Sequence, residues 1–374
     1  MSVPTAQDTA AVREYVAPQW KLIWWRFRKH RLAMISSAIM LLFALVAIFA
    51  EVIAPQSADT VDERYTYLPP QQLHLIDTSG GELDFGLYVH GYDTEVDPYT
   101  LERSTVVDTS AKIPVGLFVK GEPYELWGLI PADVHLIGPK NPEQPMYLLG
   151  ADRLGRDMLS RIVHGARVSL SIGLTGVALT FALGVLLGGI SGYFGGAVDT
   201  VIQRIIELLM SIPTIPLWLG LSAALPADWG PLQTYFAISV ILALIGWTDL
   251  SRVVRSRFLA LREEDFVRAA VLDGCSRLRI IFRHMLPSFT SHIIASLTLA
   301  IPLMILAETA LSFLGLGLQA PVVSWGVLMQ EAQSIVAVAT APWVLTPGIA
   351  VAIAVLALNF VGDGLRDSAD PYSR

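Results

Sequence analysis

The chain has 374 residues, 53% apolar and only 16% charged, with a mean hydropathy of +0.54. A soluble domain carries about 25% charged residues, and a chain of this size cannot hide the apolar excess in one core. These proportions argue against a soluble enzyme, a nucleic-acid-binding protein or a disordered chain, and the net charge of −7 has to be located before it is interpreted.

A helix crossing a bilayer needs about 20 mostly apolar residues. Uncharged runs predict an all-α polytopic membrane protein with six spans, about 32–54, 168–192, 202–223, 233–251, 289–313 and 342–362. Lys21, Arg26, Arg28, Lys29 and Arg31 precede the first. Its apolar run exceeds the roughly 7–15 residues of a signal-peptide core, no small-residue cleavage site closes it, and an uncleaved anchor is expected. The stretch LSFLGLGLQAPVVSWG carries Gly315, Gly317, Pro321 and Gly326, and is expected to be a broken or re-entrant connection.

Lys/Arg placement orients the spans. The basic N-terminus (1–31) holds six, counting Arg13, and the loop 252–288 holds eight, from Arg252 to Arg283. Both are expected on the cytoplasmic side, with the tail 366–374. The segment 55–167 then lies outside, with 17 acidic against nine basic residues, a net −8. The rest of the chain, 17 basic against 16 acidic, is +1. Within 55–145, DFGLYVHGYD and KIPVGLFVKGEPYELWGLIPADVHLIG alternate β-formers with turn residues, which predicts a small β-rich insertion. It reads either as a contact surface or lid, or as a tolerated loop. His74, His90 and His135 are too far apart to read as a zinc site, and no metal is expected.

Inside the predicted membrane region, Gly184, Gly188, Gly192 and Gly196 recur every four residues, a pattern that permits close helix approach. Pro213 and Pro216, Pro302, and Pro347 are expected to kink three spans. Glu308 interrupts a long apolar run and is either a pathway or gating residue or a helix-end carboxylate. Asp249 and Arg252 are spaced to pair along a helix, as are Arg204 and Glu207. No G-x-x-x-x-G-K-[ST], H-E-x-x-H, C-x-x-C or G-x-S-x-G occurs, and Cys275 is the single cysteine. Nothing therefore predicts catalysis by this polypeptide.

The loop RVVRSRFLALREEDFVRAAVLDGCSRLRIIFRHMLPSF predicts a short helix with an apolar face formed by Phe266, Val267, Ala269, Ala270 and Leu272, ended by a turn at Gly274. It is expected to dock into a protein groove; lying on lipid headgroups is the alternative. The run Asp265, Phe266, Val267, Arg268, Ala269, Ala270, then Gly274, then Leu286-Pro287, resembles the EAA loop of permease subunits in binding-protein-dependent ABC importers. Arg268 stands where that family often has Glu, and His284 where a branched aliphatic is common. LLGADRLGRDMLSRIVHGARVSL, GYFGGAVD, AETALSFLGLGLQAP, SWG and NFVGDGLRDSADP resemble the C-type subunit of the dipeptide/oligopeptide permeases.

The resemblance covers 146–371 with the first span, and residues 56–145 depart from it. It implies a type I ABC importer permease fold in a bacterial inner membrane, with the permease domain over 146–365. It also implies a homologous second permease, two ATPase subunits that bind ATP and Mg, an external binding protein, no cofactor on this chain and no nucleic acid. The substrates it implies are di- and oligopeptides, with oligosaccharides or nickel complexes as alternatives. The remote alternative is an ion-coupled secondary transporter, for which Glu308 would be the one candidate carboxylate.

Overall fold

Residues 19–77, 84–96, 103–226 and 228–369 are described in a computed structural model of the chain. Arg13 and the last five residues of the tail lie outside them. Two helices precede the insertion: α1 (Gln19–Phe27) and α2 (Arg31–Ile48), with a further turn at Ala50–Ile53. The sequence did not signal α1, which exposes Trp20 and Trp24 and buries Phe27. After the insertion come α3 (Met158–Phe194), α4 (Gly196–Ser211), α5 (Thr214–Ala223), α6 (Pro231–Leu261), α7 (Asp265–Leu272), α8 (Thr290–Phe313) and α9 (Thr346–Ala369).

Five of these helices are long and apolar enough to cross a membrane. The expected span 202–223 is instead a pair, α4 and α5, bent by 87° at Ile212–Pro213. Pro213 caps α5 there and accounts for the break, because it has no N–H with which to continue α4. Pro216 falls in the first turn of α5, and Pro347 in the first turn of α9, where a missing donor costs little. Pro302 lies inside the unbroken α8. Only one of the expected proline kinks is therefore a true break in a span.

Two helices run beyond the expected spans they contain. α3 starts ten residues before 168, and α6 continues ten residues beyond 251. Charged residues end an apolar run without ending a helix. The extension of α3 carries Arg161 and Arg167, whose guanidinium groups bond Ala58 O and the Ala47 and Ile48 carbonyls.

The main contact joins α3 to α6. A Cβ on Gly184 would meet Leu250 at 2.8 Å, one on Gly188 the Ser251 carbonyl at 2.5 Å, and one on Gly192 the Phe258 Cβ at 2.6 Å. Three of the four glycines thus let these helices touch backbone to side chain. Gly196 does not belong to the stripe: it faces open space with φ +57 and, after Gly195 at φ +65, turns the chain into α4. α8 closes the bundle through Ile172, Ile238, Leu242 and Met304, and α9 packs on α8 and α2.

The insertion forms an antiparallel meander of β1 (His74–Asp77), β2 (Asp84–Val96), β3 (Arg103–Leu126) and β4 (Ile130–Pro139). Bulges at His90/Gly91 and Lys120/Tyr124 bend the long β2–β3 and β3–β4 pairs. His135 is buried, with ring nitrogens 2.6 Å from Ala54 O and 2.9 Å from Glu122 O, so it ties the sheet to the helical part. His74 stacks on Tyr88, and His90 meets both rings edge-on.

Asp157 caps α3, accepting from Ser160 N at 2.8 Å and Ser160 Oγ at 2.6 Å, while its other oxygen is buried without a partner. Burial pushes its carboxyl up to about 6. The folded chain therefore holds this proton over a range where the unfolded chain has released it. The contribution to stability is complete below the unfolded value near 4 and lost as pH rises through about 6. Asp157→Asn, which keeps a capping oxygen, should flatten the fall in melting temperature between about pH 4 and 6. A wild-type slope in the variant, measured in detergent, would refute this assignment.

The glycine contact predicts a contrast between two Gly→Ala changes. Gly188→Ala should lower the melting temperature, with an overpacking cost of about 1–3 kcal/mol. Gly220→Ala, whose new Cβ would meet nothing within 4 Å on exposed α5, should be neutral or stabilising. Equal effects would show that α3 and α6 are not in close contact.

Candidate functional site

The basic end of the bundle presents α7. Glu264 precedes the helix and Asp265 opens it, placing carboxylates at its positive end. Its C-terminus is closed by a Schellman turn: Cys275 N donates to Ala270 O at 3.1 Å and Gly274 N to Val271 O at 3.0 Å. Gly274 has φ +71, which explains glycine at this position, and a Cβ there would meet no atom within 4 Å.

The expected single apolar face is divided in two. Val267 and Ala270, three residues apart, turn inward and join Val254, Phe258, Ile280, Ile281, Met285 and Phe289 in one core cluster. Phe266, Ala269, Val271 and Leu272 face outward, Leu272 with 87% of its surface exposed. Sequence periodicity recorded apolar residues without distinguishing a face that anchors from a face that is presented. Arg268 pairs with Glu263 at 2.7 Å. Leu286 packs half-buried beside the same cluster, and Pro287 is exposed in the turn leading to α8. A groove of about 580 Å³ separates Val271 and Leu272 from Tyr193 and Phe194 of α3.

A clamp holds this end together. Asp199, in the first turn of α4, accepts from Arg255 Nε at 2.5 Å and Nη2 at 2.6 Å, and from Ser191 Oγ at 2.5 Å. It joins α3, α4 and α6, the helix that leads into α7. No local spacing signals a pair 56 residues apart. Asp249 and Arg252, expected to pair, form no ion pair with each other, whereas Arg204 and Glu207 do at 2.6 Å.

Glu308 lies far from α7, near the other end of α8, and is fully buried rather than at an interface. Its Oε1 accepts from Ser312 Oγ and Ser324 Oγ, both at 2.9 Å, and Oε2 has no partner. Ser312 Oγ in turn accepts from Leu318 N at 3.0 Å, and Trp325 N donates to Ser169 Oγ at 3.0 Å. A Cβ on Gly317 or Gly326 would run into Ser312. The irregular connection after α8 is thus folded back onto a buried carboxylate. Pro213, Pro216 and Pro302 are not brought together with Glu308 into one site. Among the described residues no group of three or more His, Cys, Asp or Glu could hold a metal ion.

Residues 184–374, just over half of the chain, match the model of the binding-protein-dependent transport system inner membrane component. The chain belongs to that family. Residues 18–70 match the N-terminal TM domain of oligopeptide transport permease C, so α1 and α2 belong to the permease as well. The chain is 40% identical over 223 residues to the dipeptide transport system permease protein of Alkalihalophilus pseudofirmus, covering 59% of this chain and 71% of that one. It is 37% identical over 229 residues to the oligopeptide transport system permease protein of Haemophilus influenzae, covering 61% and 71%. A dipeptide transport system permease protein of Bacillus subtilis is 35% identical over 235 residues, covering 62% and 71%. Among solved structures, one titled as inward-facing conformations of the MetNI methionine ABC transporter aligns at a TM-score of 0.42 and 18% identity, over 56% of this chain and 97% of that one.

In this permease the Asp199–Arg255 clamp should behave as a coupled unit. A double-mutant cycle of Asp199→Ala and Arg255→Ala should give a coupling of about 1–3 kcal/mol in thermal unfolding. Additive single effects would mean that the clamp does not bear on folding.

Proposed function

We propose that this permease is a membrane subunit of an ATP-driven importer for di- and oligopeptides, lining the pathway with a homologous second permease. The observation that carries the reading is α7. Its inner residues are rooted in the bundle, and its outer residues, with the Schellman turn at Gly274, form an exposed apolar edge ringed by charge. Family membership and the peptide-transport names of its relatives support the substrate class.

On this reading, six spans cross the bacterial inner membrane in a type I importer arrangement, α4 and α5 together forming one. The N-terminus, α7 and the C-terminal tail face the cytoplasm, and the β meander faces outward. Two ATPase subunits bind ATP and Mg and receive the outward residues Asp265, Phe266, Arg268, Ala269 and Gly274 in a cleft, while Val267 and Ala270 root the helix in the bundle and Leu286 and Pro287 hold its base. An external binding protein delivers peptide to the opposite face. Nucleotide-driven closure of the ATPases moves α7. That motion shifts the bundle only if α7 makes different contacts in the outward- and inward-open states.

Leu272→Glu and Gly274→Asp test this on the assembled importer in proteoliposomes. Leu272 is exposed, so its variant should fold normally and yet lose ATPase association. Gly274→Asp should abolish ATP-driven uptake of a labelled dipeptide while the chain still inserts. Gly274→Ala meets no clash and should pay only left-handed backbone strain, about 1–2 kcal/mol, and so keep partial uptake. Normal uptake by Gly274→Asp, or uptake that collapses with the proton gradient, would overturn the proposal.

A further inference from the structure

The β3–β4 turn carries the run Leu126–Ala132, LWGLIPA, which has no charged residue. Trp127 and Gly128 turn the hairpin with φ +56 and +67. The turn leaves Trp127, Leu129 and Ile130 exposed by 50%, 79% and 52%. Such a tip on a soluble insertion would be left bare to water. Here its position is fixed relative to the first span by two contacts at different heights.

At the far end of the β4 segment, His135 bonds Ala54 O. At the tip, the Trp127 indole N–H donates to Ile48 O at 2.8 Å, and its ring lies 6.2 Å from that of Phe49. Ile48 is six residues before Ala54, roughly 9 Å nearer the membrane centre if measured along a helix. The hairpin therefore points down along the outer end of α2.

The border of the apolar zone is marked at the same place. Arg167 and Glu51 form a bidentate pair at 2.6 and 2.7 Å, and the uncharged run of α2 ends at Glu51. Trp127 meets α2 at the level of that pair, since the Arg167 guanidinium also bonds the Ile48 carbonyl and that of Ala47. The exposed Leu41, Leu42, Leu45 and Ile48 of α2 continue the apolar surface below it. Tryptophan, with an apolar ring and one donor, favours the headgroup level of a bilayer.

We propose that the β3–β4 tip, Leu126–Pro131, is a membrane-interface anchor that seats Trp127, Leu129 and Ile130 in the outer leaflet and holds the meander against the lipid surface. It rests on the placement of α2 across the membrane, not on the substrate transported.

The test uses the full chain, assembled with its partner permease in phosphatidylethanolamine/phosphatidylglycerol nanodiscs, with Cys275→Ser removing the native thiol. Spin labels are placed singly through Leu129→Cys, Leu41→Cys and Glu143→Cys. Collisions with oxygen, which concentrates in lipid, are compared with those of a water-soluble nickel chelate. The label at 129 should favour oxygen several-fold over the exposed control at 143 and approach the label at 41. A nickel-favoured label at 129 would overturn the anchor, as would one shielded from both probes by a protein neighbour. If the label at 41 also favours nickel, the membrane placement of α2 itself has failed.

Discussion

The close approach of α3 and α6 is the contact from which the rest of the structure is organised. Gly184, Gly188 and Gly192 allow Leu250, Ser251 and Phe258 to sit where side chains of α3 would otherwise stand. In a bilayer there is little hydrophobic gain from pairing two apolar helices, so shape and close packing must supply the contact. With α6 held along α3 to its end, its last turns are carried past the apolar zone to Leu261. The short connection Arg262–Glu264 then leaves α7 only one place to pack, against Val254 and Phe258. The presented edge of α7 is a geometric consequence of a glycine stripe in another helix.

Charged residues finish what the glycines begin. At the end that carries the β meander, Arg167 pairs with Glu51, and Asp152 bonds Arg156 at 2.7 Å and lies 3.5 Å from Arg161. At the other end, Asp199 and Arg255 close the corner of α3, α4 and α6. A charge near low-dielectric surroundings is costly unless it is paired and hydrogen-bonded, so these groups sit where the apolar runs stop. The net −8 is concentrated in residues 55–167, and the remainder of the chain is almost neutral.

How far this was legible in sequence depended on whether the signal was local. Uncharged length located the α2, α3, α6, α8 and α9 helices, and four-residue glycine spacing pointed to close packing. Gly274 was legible as a turn because a Schellman closure needs one left-handed residue at a defined place. The bend at Ile212–Pro213 was legible as a kink because Pro213 stands there, but its 87° size was not, since apolar composition is the same on either side of a break. Nor was Asp199–Arg255, whose partners are adjacent only after α3 and α6 have packed. Glu308 was visible as an anomaly, but its neighbours, Ser312 and Ser324, are ordinary residues until the connection folds back. The inward role of Val267 and Ala270, against the outward one of Leu272, likewise depends on where the bundle lies.

The burial of Glu308 bears on how energy enters such a molecule. A carboxylate that couples transport to an ion must meet that ion from water on each cycle, as at the midplane sites of secondary transporters. Glu308 is instead closed over by Ser312, Ser324 and the glycine-permitted approach of Gly326, with none of its surface exposed. Its hydrogen bonds tie Ser312 and Ser324 of the connection between α8 and α9 to one carboxylate oxygen. Phe289, directly before α8, belongs to the cluster that roots α7. Glu308 lies nineteen residues further along, roughly 28 Å by helix rise. The presented helix and the buried carboxylate therefore occupy opposite ends of one continuous helix. On the proposed coupling, a displacement of α7 would reach the connection after α8 through movement of α8 as a body, with no need for a titrating group between them.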